Sequence, residues 1–351
     1  MKKILIVKTS SLGDIIHTYP VVDYLREKFP LAAIDWVVEA PCAELVRAHP
    51  EVDRTLTIAT KSWRKNWFKR QTFKEILNFR KQLRERLYDA VFDLQGNVKS
   101  GFITSQTRSY KKVGFASKTV HEWPNLFFTT YRYNPPEKGN IRHDYLGVVA
   151  AFFRDKLSEC QGKVLLEISD EQKQHLQSLV GHLEKPYIVV CPGSAWKNKQ
   201  LAPNTLIKFL ALLQNFLKGS FLFVWGSAQE QELAQQLHQQ FASCSKIVDR
   251  LSLSALQNLM EMSDLIIAMD SLPLHLAGTT STPSFSIFGA SSAEKFKPLG
   301  NHEAFQGSCP YGKTFLKRCP VLRTCPTGAC IRELNAKDLF SHFQRWWNPN
   351  S

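Results

Sequence analysis

Short apolar runs alternate with amphipathic segments along the whole chain. In the first half, residues 4–7, 34–38, 55–58 and 90–94 are apolar stretches rich in β-branched side chains. They are too short for core helices and read as strands buried on both faces. Between them, 15–29 and 73–87 carry apolar residues at helical spacing. The second half repeats the rhythm, with strands expected at 187–191, 221–225, 246–248, 265–269 and 285–288 and helices at 204–216, 229–241 and 253–262. Strand, helix, strand at this pace predicts an α/β protein whose parallel sheets are built from right-handed crossovers. The run Asn134-Pro135-Pro136-Glu137-Lys138-Gly139 breaks the pattern and marks the join. Residues 143–153 read as a helix that bridges the halves, and 336–347 as a final helix packing back on the first domain. The division expected is 1–155, 156–335 and a terminal helix in 336–351. Open α/β sheets take ligands at the carboxyl ends of their strands. Two Rossmann-like domains with parallel sheets facing a central cleft would therefore carry their chemistry on strand-to-helix loops.

Length agrees with two such domains, since 351 residues exceed one ordinary core. Hydrophobic residues at 44% and charged residues at 22% are the balance of a globular protein. No apolar run approaches the roughly 18–20 residues that span a bilayer. Met1-Lys2-Lys3 leads into a short apolar run without a cleavage pattern, so a cytoplasmic protein is expected.

Charge adds a partner class. Lys and Arg number 45 against 31 Asp and Glu, a net +14. The excess favours an anionic partner, whether nucleic acid, a membrane face or a phosphorylated substrate; the alternative is a surface that only aids solubility. Much of it lies in one segment, where Lys61, Arg64, Lys65, Lys69 and Arg70 interleave with Trp63, Trp67 and Phe68. Cys42, Cys160, Cys191 and Cys244 sit singly and read as buried thiols. Cys309, Cys319, Cys325 and Cys330 cluster near the end. A reducing compartment argues against disulfides there, and without a close C-x2-C pair the zinc pattern is weak.

Five loops are candidates for chemistry. Lys8-Thr9-Ser10-Ser11-Leu12-Gly13-Asp14 follows the first strand. With one glycine it fits neither a dinucleotide fingerprint nor a phosphate-binding P-loop. Asp14, at a helix start, is either an N-cap or a general base kept ionised by the helix. Asp93-Leu94-Gln95-Gly96-Asn97-Val98-Lys99-Ser100-Gly101 is a cleft wall or an ordinary turn. Cys191-Pro192-Gly193-Ser194-Ala195-Trp196-Lys197-Asn198-Lys199 is either a diphosphate cradle or a solvated basic turn. In Trp225-Gly226-Ser227-Ala228-Gln229-Glu230, the Glu230 carboxylate is placed to accept from a ribose diol or simply to favour the first helical turn. Asp270-Ser271-Leu272-Pro273-Leu274-His275 leaves a strand and starts a helix, with proline where its missing N–H is harmless. There a helix start beside Lys199 makes an anion site, and His275 is either a buried structural histidine or a ligand contact.

Together these segments resemble the bacterial heptosyltransferases of lipopolysaccharide core synthesis, inverting glycosyltransferases of GT-B fold. The resemblance rests on residues 4–18, on Asp35-Trp36-Val37-Val38-Glu39, on Trp63-Arg64-Lys65-Asn66-Trp67-Phe68 and on Tyr88-Asp89-Ala90-Val91-Phe92-Asp93-Leu94-Gln95-Gly96. The Trp-Arg-Lys segment is similar to the heptosyltransferase I branch in particular. It covers residue 1 to about 290, most densely the first hundred.

The resemblance implies a transfer of L-glycero-D-manno-heptose from ADP-heptose to Kdo of Kdo2-lipid A. It implies Asp14 as base and Lys199 as the group that stabilises the leaving diphosphate. Ser194, Ala195, Lys199, Glu230, Leu251, Asp270, Ser271, Leu272, Pro273, Leu274 and His275 would line the donor. Ser10, Ser11, Gly13, Arg64, Lys65, Gln95, Gly96 and His121 would meet the acceptor. It implies no cofactor, no metal in the site and no nucleic acid; a monomer is expected, peripheral at the inner face of the cytoplasmic membrane. Where the family has Asp-Thr-Gly-Leu-Ser-His, this chain has Asp270-Ser271-Leu272-Pro273-Leu274-His275. His121 stands where an arginine is expected. Those departures keep open a transferase using another nucleotide sugar, such as a UDP- or GDP-hexose, and a non-catalytic basic GT-B binding module.

Overall fold

The computed structural model describes residues 1–137, 139–157 and 161–348, so Cys160 and the last three residues lie outside the described residues. The chain divides into two compact units, Met1–Glu167 and Ile168–Ser351.

The first unit runs β1 (Lys3–Val7), α1 (Leu12–Ile16), α2 (Tyr19–Lys28), β2 (Ala33–Glu39), α3 (Ala43–Arg47), β3 (Arg54–Ile58), α4 (Thr60–Lys65), α5 (Arg70–Arg84), β4 (Ala90–Asp93), α6 (Val98–Gln106), β5 (Lys112–Phe115), β6 (Tyr131–Tyr133) and α7 (Ile141–Phe153). Its six strands form one parallel sheet in the order β3-β2-β1-β4-β5-β6. Ile4, Leu5, Ile6 and Val7 of β1 are fully buried. A strand covered on both faces needs that continuous apolar run. The expected helix over 15–29 is two helices, because Thr18 and Pro20 separate α1 from α2.

The second unit runs α8 (Asp170–Val180), β7 (Tyr187–Cys191), α9 (Pro203–Leu217), β8 (Ser220–Phe223), α10 (Ala228–Gln240), β9 (Ser245–Ile247), α11 (Leu253–Glu261), β10 (Leu265–Met269), α12 (Leu272–Ala277), β11 (Ser284–Phe288), α13 (Ala293–Phe296), β12 (His302–Gln306), α14 (Ala329–Arg332) and α15 (Ala336–Trp347). Its six-stranded parallel sheet is ordered β12-β11-β10-β7-β8-β9.

Two expected boundaries move. The Pro-rich stretch falls inside the first unit, with residues 134–137 in a loop. Gly147 of α7 packs so close to Pro136 that an added Cβ would lie 2.7 Å from its ring, and the Glu167 N–H still donates to Ala48 O at 2.8 Å. The helix read as a bridge, α7, belongs to the first unit too, packed against α2, β5 and β6. The final helix packs within the second unit, against α9 and β12. Leu339 and Phe343 enter that unit's core, where the Phe343 ring meets Phe285 edge-on with centroids 5.5 Å apart.

Candidate active site

β1 and β4 are neighbours in the first sheet, yet the chain proceeds from them in opposite directions, toward β2 and toward β5. Loops leaving their carboxyl ends diverge there, which is where such sheets take ligands. Val7 lies opposite Asp93, so the loops 8–14 and 94–97 leave side by side. The Gln95 Oε1 joins them by accepting the N–H groups of Thr9 and Ser10, each at 3.0 Å. Asp93 is fully buried and shapes the second loop. It accepts from the N–H groups of Gln95 (3.1 Å) and Gly96 (3.0 Å), from Ser100 Oγ (2.9 Å) and from Asn125 Nδ2 (2.7 Å). Burial raises its pKa, although these bonds oppose the rise. Gly96 takes φ of +71° and would bring a Cβ to 3.0 Å from the Phe115 ring, so a side chain is strained there. The Glu122 N–H donates to Gly96 O at 2.9 Å, which sets the exposed His121 beside this turn.

Asp14 is the third residue of α1 and is not its cap; Ser11 holds the cap position. The Asp14 Oδ2 reaches back to accept the Ser11 N–H at 3.1 Å and the Ser11 hydroxyl at 2.8 Å. Its Oδ1 accepts from Tyr145 OH at 3.0 Å. Lys8, buried at the end of β1, donates through Nζ to Tyr145 OH and to Leu94 O, both at 3.0 Å. Desolvation by itself pushes the Asp14 carboxyl up. The Lys8 charge and the bonds from Ser11 and Tyr145 outweigh it, and the pKa ends below the usual carboxylate value. Burial lowers the Lys8 pKa against the opposing pull of Asp14 and Asp93. An ionised, partly exposed carboxylate with fixed oxygens can take a proton from a hydroxyl.

Ser10 and Gly13 are half-buried and Ser11 is exposed in the same loop. Arg64 and Lys65 are exposed on α4. Glu39, at the end of β2, ties that helix to the first loop. Its carboxylate accepts the Thr60 N–H at 3.1 Å, the Thr60 hydroxyl, and Lys99 Nζ at 2.7 Å. Its own N–H donates to Thr9 O at 3.0 Å.

The second sheet repeats the arrangement at β7 and β10, adjacent strands followed in opposite directions. Lys199 and Asp270, both buried, meet with Nζ 2.5 Å from Oδ2. Ser291 donates to the same oxygen. Burial pushes the Asp270 carboxyl up, and Lys199 and His275 overcome that and hold it low. The Ser194 hydroxyl faces Asp270 O at 3.5 Å, Gln200 Nε2 donates to Ser194 O at 2.5 Å, and Ala195 follows in the same loop, exposed. Ser271 precedes the six-residue α12 without a side-chain cap bond, and Pro273, its second residue, offers no N–H. Leu274 and His275 are buried within it. The Glu230 Oε2 accepts the N–H groups of Gly226 (2.8 Å) and Ser227 (3.2 Å). Gly193 lies directly beneath it: a Cβ there would come within 2.2 Å of Glu230 Oε1 and displace the glutamate from this position. Leu251 is half-buried just before Ser252, the cap of α11.

Tyr145, Glu39 and Ser291 belong to these arrangements and were not among the sequence candidates, whereas Lys8 and Lys99 lay in candidate loops without a role of their own. Lys8, Glu39 and Ser291 stand at or just past strand ends, a position that could have flagged them. Tyr145 lies 131 residues from its partner Asp14 and left no local signal.

The family model for glycosyltransferase family 9 (heptosyltransferase) matches residues 76–322. Lipopolysaccharide heptosyltransferase 1 of Pseudomonas aeruginosa is 30% identical over 307 residues, covering 87% of this chain and 84% of that protein. The chain's fold is similar to that of E. coli heptosyltransferase WaaC with ADP, at a TM-score of 0.80 and 22% identity over 98% of this chain and 99% of that one. The same enzyme with ADP-2-deoxy-2-fluoro heptose gives 0.72 and 24% over 87% and 93%. These likenesses show a GT-B heptosyltransferase fold.

Proposed function

The chain belongs to glycosyltransferase family 9, the heptosyltransferases, and from that premise we propose that it transfers L-glycero-D-manno-heptose from ADP-heptose to a Kdo hydroxyl of Kdo2-lipid A with inversion. Asp14 removes the proton from the attacking hydroxyl. The new bond forms at the anomeric carbon as the bond to the ADP oxygen breaks, and ADP leaves with the electron pair. Lys199 and the backbone at Ser271–Leu274 offset the charge of the departing diphosphate, with Ser194 and Ala195 beside it. Glu230 and Leu251 hold the nucleoside, and Asp270 and His275 face the sugar. Ser10, Ser11, Gly13, Gln95, Gly96 and His121 shape the acceptor pocket, while Arg64 and Lys65 meet Kdo carboxylates and lipid A phosphates. Relatives that are named lipopolysaccharide heptosyltransferase 1 in Pseudomonas aeruginosa and E. coli support the choice of substrates.

One observation carries the reading: Asp14 lies at the ligand-binding edge of the first sheet, held ionised by Lys8, Ser11 and Tyr145. General-base removal costs roughly 10² to 10⁴ in rate. The test incubates the protein with Kdo2-lipid A and ADP-heptose, UDP-hexose or GDP-hexose in parallel. The expected outcome is the mass of one added heptose from ADP-heptose alone. Asp14→Asn is expected to lose transfer while keeping donor affinity by calorimetry. Transfer at the parent rate by that variant sinks the base assignment; product from UDP- or GDP-hexose instead overturns the donor.

A further inference from the structure

The stretch 307–328, between β12 and α14, is an irregular segment of over twenty residues without helix or strand. Irregular segments of this length are uncommon in a compact domain unless something holds them. Backbone bonds pin this one at a few points: the Cys319 N–H donates to Ala290 O (2.8 Å), and the Ser292 N–H to Lys317 O (2.9 Å). Asn198 Nδ2 donates to Leu322 O (2.9 Å) and Cys325 O (2.8 Å). Of its apolar side chains Leu322 is buried, whereas Tyr311 and Leu316 are exposed. Four of the chain's cysteines, Cys309, Cys319, Cys325 and Cys330, line one cavity of about 350 Å³ in and beside this segment.

Local geometry separates these thiols from ordinary buried ones. Cys42 and Cys191 lie singly in the cores, whereas the four here are half-exposed and unbridged. Two of them begin the same four-residue turn, Cys309-Pro310-Tyr311-Gly312 and Cys325-Pro326-Thr327-Gly328. Each turn ends on a glycine in the left-handed region, with φ of +67° at Gly312 and +60° at Gly328. At the second turn the Gly328 N–H points back at Cys325 Sγ, 3.5 Å away. An N–H aimed at sulfur favours a thiolate over a thiol, and a thiolate is what a soft metal ion takes. Between 308 and 332 the chain has Lys313, Lys317, Arg318, Arg323 and Arg332 and no Asp, Glu or His. That composition offers only sulfur ligands and supplies the positive surroundings that a dianionic metal tetrathiolate needs.

We propose that Cys309, Cys319, Cys325 and Cys330 form a tetrathiolate site for a thiophilic divalent ion, zinc foremost, which fastens the 307–328 segment to the second unit. Among the described residues no three His, Cys, Asp or Glu side chains stand close enough to hold an ion as they are. The ion therefore draws the sulfurs inward to about 2.3 Å, contracting the cavity and releasing the thiol protons. The site is structural and separate from sugar transfer. It abuts the donor loop, because Asn198 next to Lys199 bonds to the segment and a Cβ at Gly328 would lie 2.5 Å from Asn198 Oδ1.

The test uses the full chain, reduced, stripped with a chelator and titrated with Co²⁺ under anaerobic conditions. Tetrahedral cobalt–thiolate absorption is expected to saturate at about one equivalent and to be displaced by Zn²⁺. Cys319→Ser and Cys330→Ser lose it, while Cys244→Ser, outside the cluster, retains it. Bound Zn²⁺ also shields the four thiols from a thiol-reactive dye. A wild-type chain that gives no tetrahedral absorption, or whose four cysteines react equally with and without zinc, overturns the proposal. The wild-type titration decides the matter even if a serine variant fails to fold.

Discussion

At Asp14 two effects of opposite sign meet. Burial drives the carboxyl toward its neutral form, while Lys8, Ser11 and Tyr145 drive it toward the charged one, and the second set wins. Each of the three acts on a different part of the group: Ser11 on Oδ2, Tyr145 on Oδ1, and Lys8 through space and through the tyrosine hydroxyl. Tyr145→Phe deletes one lowering contribution, so the Asp14 pKa rises. A base works only when ionised, and its rate falls as pH drops through that pKa. The acid limb of the kcat/KM profile should therefore move to higher pH. An acid limb that stays in place would show that another group sets it. The carboxylate itself was legible in the sequence, as the one acid of the first strand-to-helix loop. Its supports were legible only in part: Ser11 and Lys8 fall in the same loop, though nothing local assigns Lys8 its role, and Tyr145 lies in an apolar helix far along the chain.

The elements that the hydrophobic pattern located are those whose strands are buried on both faces. β7 and β10 have the bounds expected, because sequences such as Tyr187–Cys191 and Leu265–Met269 have no other place than a covered sheet. The strands that escaped are three at or next to the sheet edges. β5 and β6 carry lysine, glycine, arginine and exposed tyrosine, and β12 reads His-Glu-Ala-Phe-Gln with one buried position. β6 and β12 have one neighbour each and need no continuous apolar run, while β5, with two neighbours and three of its four residues buried, is too short for such a run to stand out. The last helix was located by its periodicity, but its partner was not, since an apolar stripe says that something covers it and not what. The structure supplies α9 and β12, with Phe343 stacked on Trp347 and edge-on to Phe285 and Trp346. Truncating that ring should leave a cavity in the second unit. Phe343→Ala is expected to cost about 3–5 kcal/mol, read as a lower urea midpoint of that unit with an unchanged slope. A loss under about 1 kcal/mol would mean that the helix does not seal this core.

For the whole molecule, the net charge of +14 gives a sign, and the placement of the cations gives it a use. Lys61, Arg64, Lys65, Lys69, Arg70 and Lys74 fall on α4, α5 and the turn between them, where Trp67, Phe68, Phe73 and Leu77 are 55–80% exposed. No described helix is long and apolar enough to cross a membrane. Exposed aromatic rings among cations are the composition of a surface that settles into the headgroup layer of an anionic bilayer. An acceptor embedded in such a bilayer would be met at the surface rather than drawn out of it. The protein is therefore expected to sediment with vesicles containing anionic phospholipid and no acceptor, and not with neutral ones. Each cation near the surface is worth about 1 kcal/mol, so replacing Arg64 and Lys65 by Ala should weaken binding roughly thirtyfold at low salt and far less at high salt, where screening has already removed the attraction. Trp67→Ser with Phe68→Ser should instead weaken it at both, because apolar insertion is not screened. All four side chains are exposed, so stability should hardly change. Equal binding to neutral and anionic vesicles, or binding indifferent to all four substitutions, would remove the membrane from this surface and leave the cations to the acceptor's own phosphates and carboxylates.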